Sequence, residues 1–273
     1  MRNMFNAAVT MGQLQNRLDI TANNLANLNT YGFKASYANF SSLLYQQVNN
    51  VLDYDGNAMR QTPLGIRVGS GARLANTTYL MQNGTIQHTD RDLDLAIQDV
   101  NRFFVVQAPE GDETEIRYTR AGNFYLQPIN GGQVMLTTSE GYPVQGQNGP
   151  IIIDSNFDKI TFNHLGGLEV TRGNVTTTED YVQVVEFERM RGLESAGNNT
   201  YRINDEALGV DREAFVMQIA PENANLVPKA LESSNVDMAK EFADMIETQR
   251  AYSFNARSIS IGDQMLGLIN NMR

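Results

Sequence analysis

The side chains of this chain that could do chemistry form only thin clusters. The two histidines, His88 and His164, lie 76 residues apart. There is no cysteine and no third histidine to complete a zinc-type set. Asp90-Arg91-Asp92-Leu93-Asp94 opens like a calcium loop, with carboxylates at alternate positions. Such a loop needs glycine where this chain has Leu95 and glutamate where it has Asn101. The segment reads better as a strand, with its acids on the wet face and its leucines inward. Gly69-Ser70-Gly71-Ala72-Arg73-Leu74 is half of a dinucleotide fingerprint without the third glycine, and reads as a turn. Glu186 and Glu188 alternate on one strand face, as charges on a solvated face do. A cell-wall glycosidase would need two carboxylates in a cleft. No spacing singles out such a pair, and there is no tryptophan to stack on sugars. No catalytic, cofactor-binding or metal-ligating residue is assigned.

The longest elements lie elsewhere. Met4, Ala7, Met11, Leu14, Leu18, Thr21, Leu25 and Leu28 recur at alternating steps of three and four, a heptad seam with one polar gap. A helix over about 3 to 28 would span about 38 Å, released at Gly32, which tolerates the left-handed conformation. Met238, Phe242, Met245, Gln249, Tyr252, Ala256, Ile259, Asp263 and Leu266 repeat the same steps over a closing helix from about 236 to 270. Ser233-Ser234-Asn235 offers its N-cap, with Asp237 in the first turn. Glu247 and Arg250 can pair across one turn. Gln249 and Asp263 are polar misfits on this seam. Buried polar groups need partners, so Gln249 is expected to pair with a neighbouring helix, with Asn23, Asn24 or Asn27 as candidates.

Between the helices the period changes to two. Phe103-Phe104-Val105-Val106, Ile116 to Tyr118, Ile151 to Ile153 and Val182 to Phe187 are strand-like runs rich in β-branched and aromatic residues. Glycine-containing turns separate them. The expected fold is therefore α+β, mainly β: an all-β central domain inserted between long N- and C-terminal helices that form a coiled-coil-like inner domain. Residues 1–34 with 233–273 form the helical part, 35–83 with 191–232 a connecting mixed β part, and 84–190 the outer all-β part.

Bulk properties narrow the function. A net charge of −10 disfavours binding to nucleic acid. No apolar run approaches a membrane span. The first residues lack the uninterrupted apolar core of a signal peptide, so no cleaved leader is expected.

Several segments, taken together, resemble one family. Ala22-Asn23-Asn24-Leu25-Ala26-Asn27 and Thr30-Tyr31-Gly32-Phe33-Lys34 are similar to the N-terminal signature of bacterial flagellar rod and hook proteins. Ser234-Asn235-Val236-Asp237, Met245-Ile246-Glu247-Thr248-Gln249-Arg250-Ala251-Tyr252 and Asp263-Gln264-Met265-Leu266 resemble their C-terminal signature. Asp94-Leu95-Ala96-Ile97, Tyr118-Thr119-Arg120-Ala121-Gly122-Asn123-Phe124 and Gly192-Leu193-Glu194-Ser195 follow in the same order as in the family. Size and segment content look most like the distal rod type (FlgG), with the proximal rod (FlgF) and hook (FlgE) types as near relatives. Asn101-Arg102 stands where the family usually has glycine before the Phe-Phe pair.

The resemblance implies a structural axial subunit of the flagellar basal body, exported unfolded by the flagellar type III apparatus and polymerising into a hollow rod. Its partners would be further copies of itself and adjacent rod and hook proteins, with no nucleic acid, cofactor or small-molecule substrate. Subunit packing would fall to Met4, Met11, Leu14, Leu18, Leu25 and Leu28 on the first helix. On the last it would fall to Met238, Phe242, Met245, Ile246, Gln249, Tyr252, Ile259 and Leu266. A monomeric adhesin or scaffold is the alternative among non-enzymes.

Overall fold

The computed structural model describes residues 2–42, 45–48, 66–69, 72–110, 113–188, 190–203 and 216–272. Two long helices, α1 (Arg2–Ala26) and α2 (Met238–Asn271), bracket a many-stranded β region. The fold class is α+β, as the change of period along the sequence predicts. Most of the loop expected between Asp53 and Gly71 lies outside the described residues.

The chain divides into two compact units, one of residues 1–25, 36–78 and 238–273, the other of residues 26–35 and 79–237. This differs from the threefold division expected above. Most of segment 35–83 groups with the helices, and segment 191–232 joins the β unit. The reason lies in the sheets. Leu193–Gly197 and Thr200–Ile203 are the first two strands of a six-stranded sheet, and Val216–Ile219 is its last.

In the helical unit α1 and α2 run antiparallel. Arg17 of α1 pairs with Asp244 of α2 at 3.3 Å. A Cβ on Gly262 would stand 2.8 Å from the Met4 side chain, so the two helices approach closely there. Strand Ser36–Ser42 pairs with Ala72–Tyr79, and Tyr45–Val48 pairs antiparallel with Ile66–Gly69.

The β unit is organised by its six-stranded antiparallel sheet. Arg102–Glu110 lies between Glu113–Thr119 and Val184–Phe187. Both faces of this sheet are covered, which is why Phe103 to Val106 reads as an unbroken apolar run rather than an alternation. Phe103, Val105, Val185 and Phe187 pack with Tyr118, Leu193, Tyr201 and Ile203 on one face. Phe104, Val106 and Val184 join Leu95, Phe124, Leu136, Val144 and Leu168 on the other. The strand expected around Asp90 to Ile97 is shorter, Leu95–Ile97, and all three of its residues are buried. The inward-leucine, outward-acid alternation therefore does not hold at Asp94. That residue is buried, and its carboxylate accepts hydrogen bonds from Thr89 Oγ1 at 2.9 Å and Arg91 at 3.4 Å.

Candidate functional site

His88 and His164 are exposed on separate elements. No group of three or more His, Asp or Glu side chains is placed to hold a metal ion among the described residues. Glu186 is engaged by Arg102 at 3.0 Å. The structure draws attention instead to a buried ion cluster in the β unit and to the face of α2.

The cluster is built from three cation- and anion-bearing residues far apart in sequence. Lys34 Nζ donates to Glu232 Oε1 at 2.6 Å and to the Gln82 carbonyl at 2.9 Å. Arg120 Nε donates to Glu232 Oε2 at 2.8 Å. The other Arg120 nitrogens donate to the carbonyls of Asp99 and Arg102, both at 2.6 Å, to that of Ile97 at 3.2 Å, and to Asn83 Oδ1 at 2.8 Å. All three side chains are withdrawn from solvent. Burial pushes the Lys34 ammonium down to about 8, only partly opposed by the Glu232 carboxylate, while the Arg120 charge adds to the fall. Burial also raises the neighbouring Tyr201 phenol, aided by the charge fields of Tyr79 and Glu232.

The backbone around the cluster is equally close-fitted. Gly32 has φ +69°, donates to the Glu232 carbonyl at 2.7 Å, and sits so that a Cβ would lie 2.6 Å from the Arg120 carbonyl carbon. A Cβ on Gly122 would overlap the Leu95 carbonyl oxygen. Asn235 Oδ1 accepts from the Ala35 amide at 2.7 Å, and its Nδ2 donates to Leu80 and Gln82 carbonyls at 2.6 and 2.9 Å. The signature segments at Gly32 to Lys34, Leu95 to Ile97, Arg120 to Gly122 and Ser234-Asn235 thus meet at one place. Asn101-Arg102, where glycine was expected, is accommodated by the same network. Arg102 begins a strand, pairs with Glu186 and Asp99, and gives its carbonyl to Arg120.

The helical unit carries the other signature residues. Asn24 is buried and mimics a strand partner for Ser36, accepting from its amide at 2.9 Å and donating to its carbonyl at 2.8 Å. On α1 Ala7 and Thr21 are buried, and Met4, Met11, Leu14, Leu18 and Leu25 are half-covered. The α2 seam is rotated. Met245, Tyr252, Ile259 and Leu266 are half-covered, and the residues beside them are Glu241, Thr248, Asn255 and Gly262. Gln249 and Asp263 are exposed, as are Met238, Phe242 and Ile246. The polar seam residue is Thr248, whose hydroxyl donates to the Asp244 carbonyl of its own helix at 2.6 Å. The N-cap expectation also shifts. The helix begins at Met238 directly after Asp237, because Asn235 is occupied in the β unit.

Residues 4–34 match the family described as flagella basal body rod protein. Residues 99–170 match the flagellar hook protein FlgE/F/G D1 domain, and 227–272 the flagellar basal body rod FlgEFG protein C-terminal family. Over its whole length the chain is 37% identical to the flagellar hook-basal body complex protein FlhP of Bacillus subtilis, covering all of that protein. The chain belongs to the flagellar basal-body rod and hook family. It is 33% identical to the flagellar basal-body rod protein FlgG of Caulobacter vibrioides, over 98% of the chain and 97% of that protein. To the Bacillus subtilis FlgG it is 30% identical, over the whole chain and 99% of that protein. The matched ends of the family models include both Lys34 and Glu232, so the ion cluster joins the N-terminal rod segment to the C-terminal one. The asparagine-rich end of α1 was legible as a signature. The roles of Arg120 and Glu232 were not, since a lone Arg and a lone Glu carry no spacing signal.

Proposed function

We propose that this chain is a structural axial subunit of the flagellar basal-body rod and catalyses no reaction. Copies of it stack into a hollow helical rod, next to other rod and hook proteins, after export through the flagellar type III apparatus. The observation that carries this reading is the outer face of α2. Glu241, Thr248 and Asn255 turn inward beside Met245, Tyr252, Ile259 and Leu266, while Met238, Phe242, Ile246, Phe254, Ile261, Met265 and Leu268 turn out. Folding alone would favour the opposite arrangement, since each large apolar side chain gains about 1.5–3 kcal/mol from burial. So many large apolar side chains left exposed along one helix mark a protein–protein contact.

Sedimentation of the purified chain at rising concentration, with electron microscopy of the product, tests the reading. Growth of tubular polymer is expected. A chain that stays monomeric at high concentration would instead fit a scaffold that only binds partners.

A second reading concerns the segment of the axle. Identity to Bacillus subtilis FlhP, 37%, exceeds the 30% to FlgG of the same organism. This favours the place taken by FlhP over the place taken by FlgG. Expressing the chain in Bacillus subtilis strains lacking one or the other separates the two, because motility should return only where the segment matches.

A further inference from the structure

In the helical unit a cleft of about 210 Å³ lies between α1, the Ser36 strand and α2. Arg17, Thr21, Asn24, Ser36, Tyr37, Glu241 and Asp244 line it. Arg17 and Asp244 are about one-third exposed and pair with each other. Glu241 is 1% exposed, and its Oε1 is buried with no hydrogen-bond partner. A buried carboxylate oxygen left unpaired is costly. Two carboxylates face one guanidinium within the lining; the Lys240 ammonium acts on Glu241 from beside the Tyr37 ring, and Asn24 and Tyr37 hydrogen-bond to the Glu241 carboxyl, yet its Oε1 keeps no partner.

The outer face of α2 has the complementary fault. Ile246, Phe254 and Ile261 are exposed along one line of the helix, and Arg250 and Arg257 stand on that line between them. The pair expected between Glu247 and Arg250 does not form among the described residues, and Arg250 is exposed. Covering this stripe would carry the Arg250 guanidinium out of water with it. A guanidinium so desolvated needs a carboxylate in return.

We propose that the cleft beside Glu241 and Asp244 is a socket for Arg250 of a second copy, inserted as Ile246 and Phe254 are covered. This rests on the polymer reading above. The socket lies at the level of residues 241–244, so neighbouring α2 helices are staggered by about 12 Å. The fit is heterologous. One copy offers the socket and the next offers the arginine, a contact that propagates rather than closing as a dimer.

The test uses the full chain, which has no native cysteine. An Asp244→Cys chain is mixed with an Arg250→Cys chain, polymerised, and treated with a short bis-maleimide linker. Arg250→Glu is measured alongside by critical concentration and by the helical melting of the unassembled chain. A cross-link between the two variants in polymer, with at least a tenfold rise in critical concentration for Arg250→Glu and unchanged melting, supports the socket. Polymer that forms without the cross-link, and with Arg250→Glu assembling like the unmodified chain, overturns the socket alone. Failure of the unmodified chain to polymerise overturns the polymer reading and the socket with it.

Discussion

Lys34 Nζ meets Glu232 Oε1 at 2.6 Å across 198 residues, and neither side chain reaches solvent. The segment entering the β unit is thereby tied to the segment leaving it, with Arg120 as the third member. Removing the shared anion leaves two buried cations facing each other. Glu232→Gln is expected to destabilise the β unit by about 3–5 kcal/mol. Lys34→Met should cost less, because Arg120 still neutralises Glu232. Denaturant midpoints followed by tyrosine fluorescence give the comparison, and equal losses would contradict the shared-anion arrangement.

Gly32 should be intolerant of any side chain. Its φ of +69° is costly for alanine, and a Cβ would stand 2.6 Å from the Arg120 backbone. The conformational cost alone is about 1–3 kcal/mol, and backbone atoms cannot swing aside. Gly32→Ala is expected to lower thermal stability by at least that much. At Gly131, also at positive φ but with open space around it, alanine should cost only the conformational part.

Burial raises the Glu241 carboxyl above its ordinary value of 4.5. The nearby Asp244 charge adds to the rise, and the Asn24 amide, the Lys240 charge and the Tyr37 hydroxyl oppose it. Between the ordinary and the raised value the folded chain holds a proton that the unfolded chain has lost. Stability through this group therefore falls as pH rises across that window, and the cost is constant above it. Helical melting of the unassembled chain, scanned upward from pH 4.5, should show this decline. Glu241→Gln should flatten that component and raise stability near neutral pH. A variant with the same slope as the unmodified chain would remove Glu241 as its source.

The helices and the change to a β period were legible because repeats of 3.5 and 2 are local signals. The α1 seam could be read from Met4 to Leu25 for the same reason. The α2 seam could not be placed in rotation. The heptad spacing points to Met238, Phe242 and Gln249, whereas the fold buries Glu241 and Thr248 and half-covers Asn255. Thr248 and Asn255 satisfy themselves on their own helix, at 2.6 and 2.9 Å, so their burial is cheap and leaves no trace in a hydrophobic pattern. Strands 193–197 and 200–203 carry no local sign of their place in the sheet, which is set by pairing with Tyr118 and Thr119 far away in sequence. The ion cluster was invisible for a like reason: Lys34, Arg120 and Glu232 gain meaning only from the topology that gathers them.

Phe254 is the sharpest test of which α2 face serves assembly. It is 71% exposed, so the isolated molecule gains almost nothing from its ring. An exposed substitution away from any structural feature changes stability by within about 0.5 kcal/mol. Phe254→Asp should therefore melt like the unmodified chain while its critical concentration for polymer rises at least tenfold. Leu18→Asp supplies the contrast. That residue is half-covered on α1, so the variant should lose helical stability before assembly is reached. If Phe254→Asp assembled normally while Leu18→Asp failed only at folding, the exposed stripe would have no part in stacking. The contact would then have to be sought on another surface of the chain.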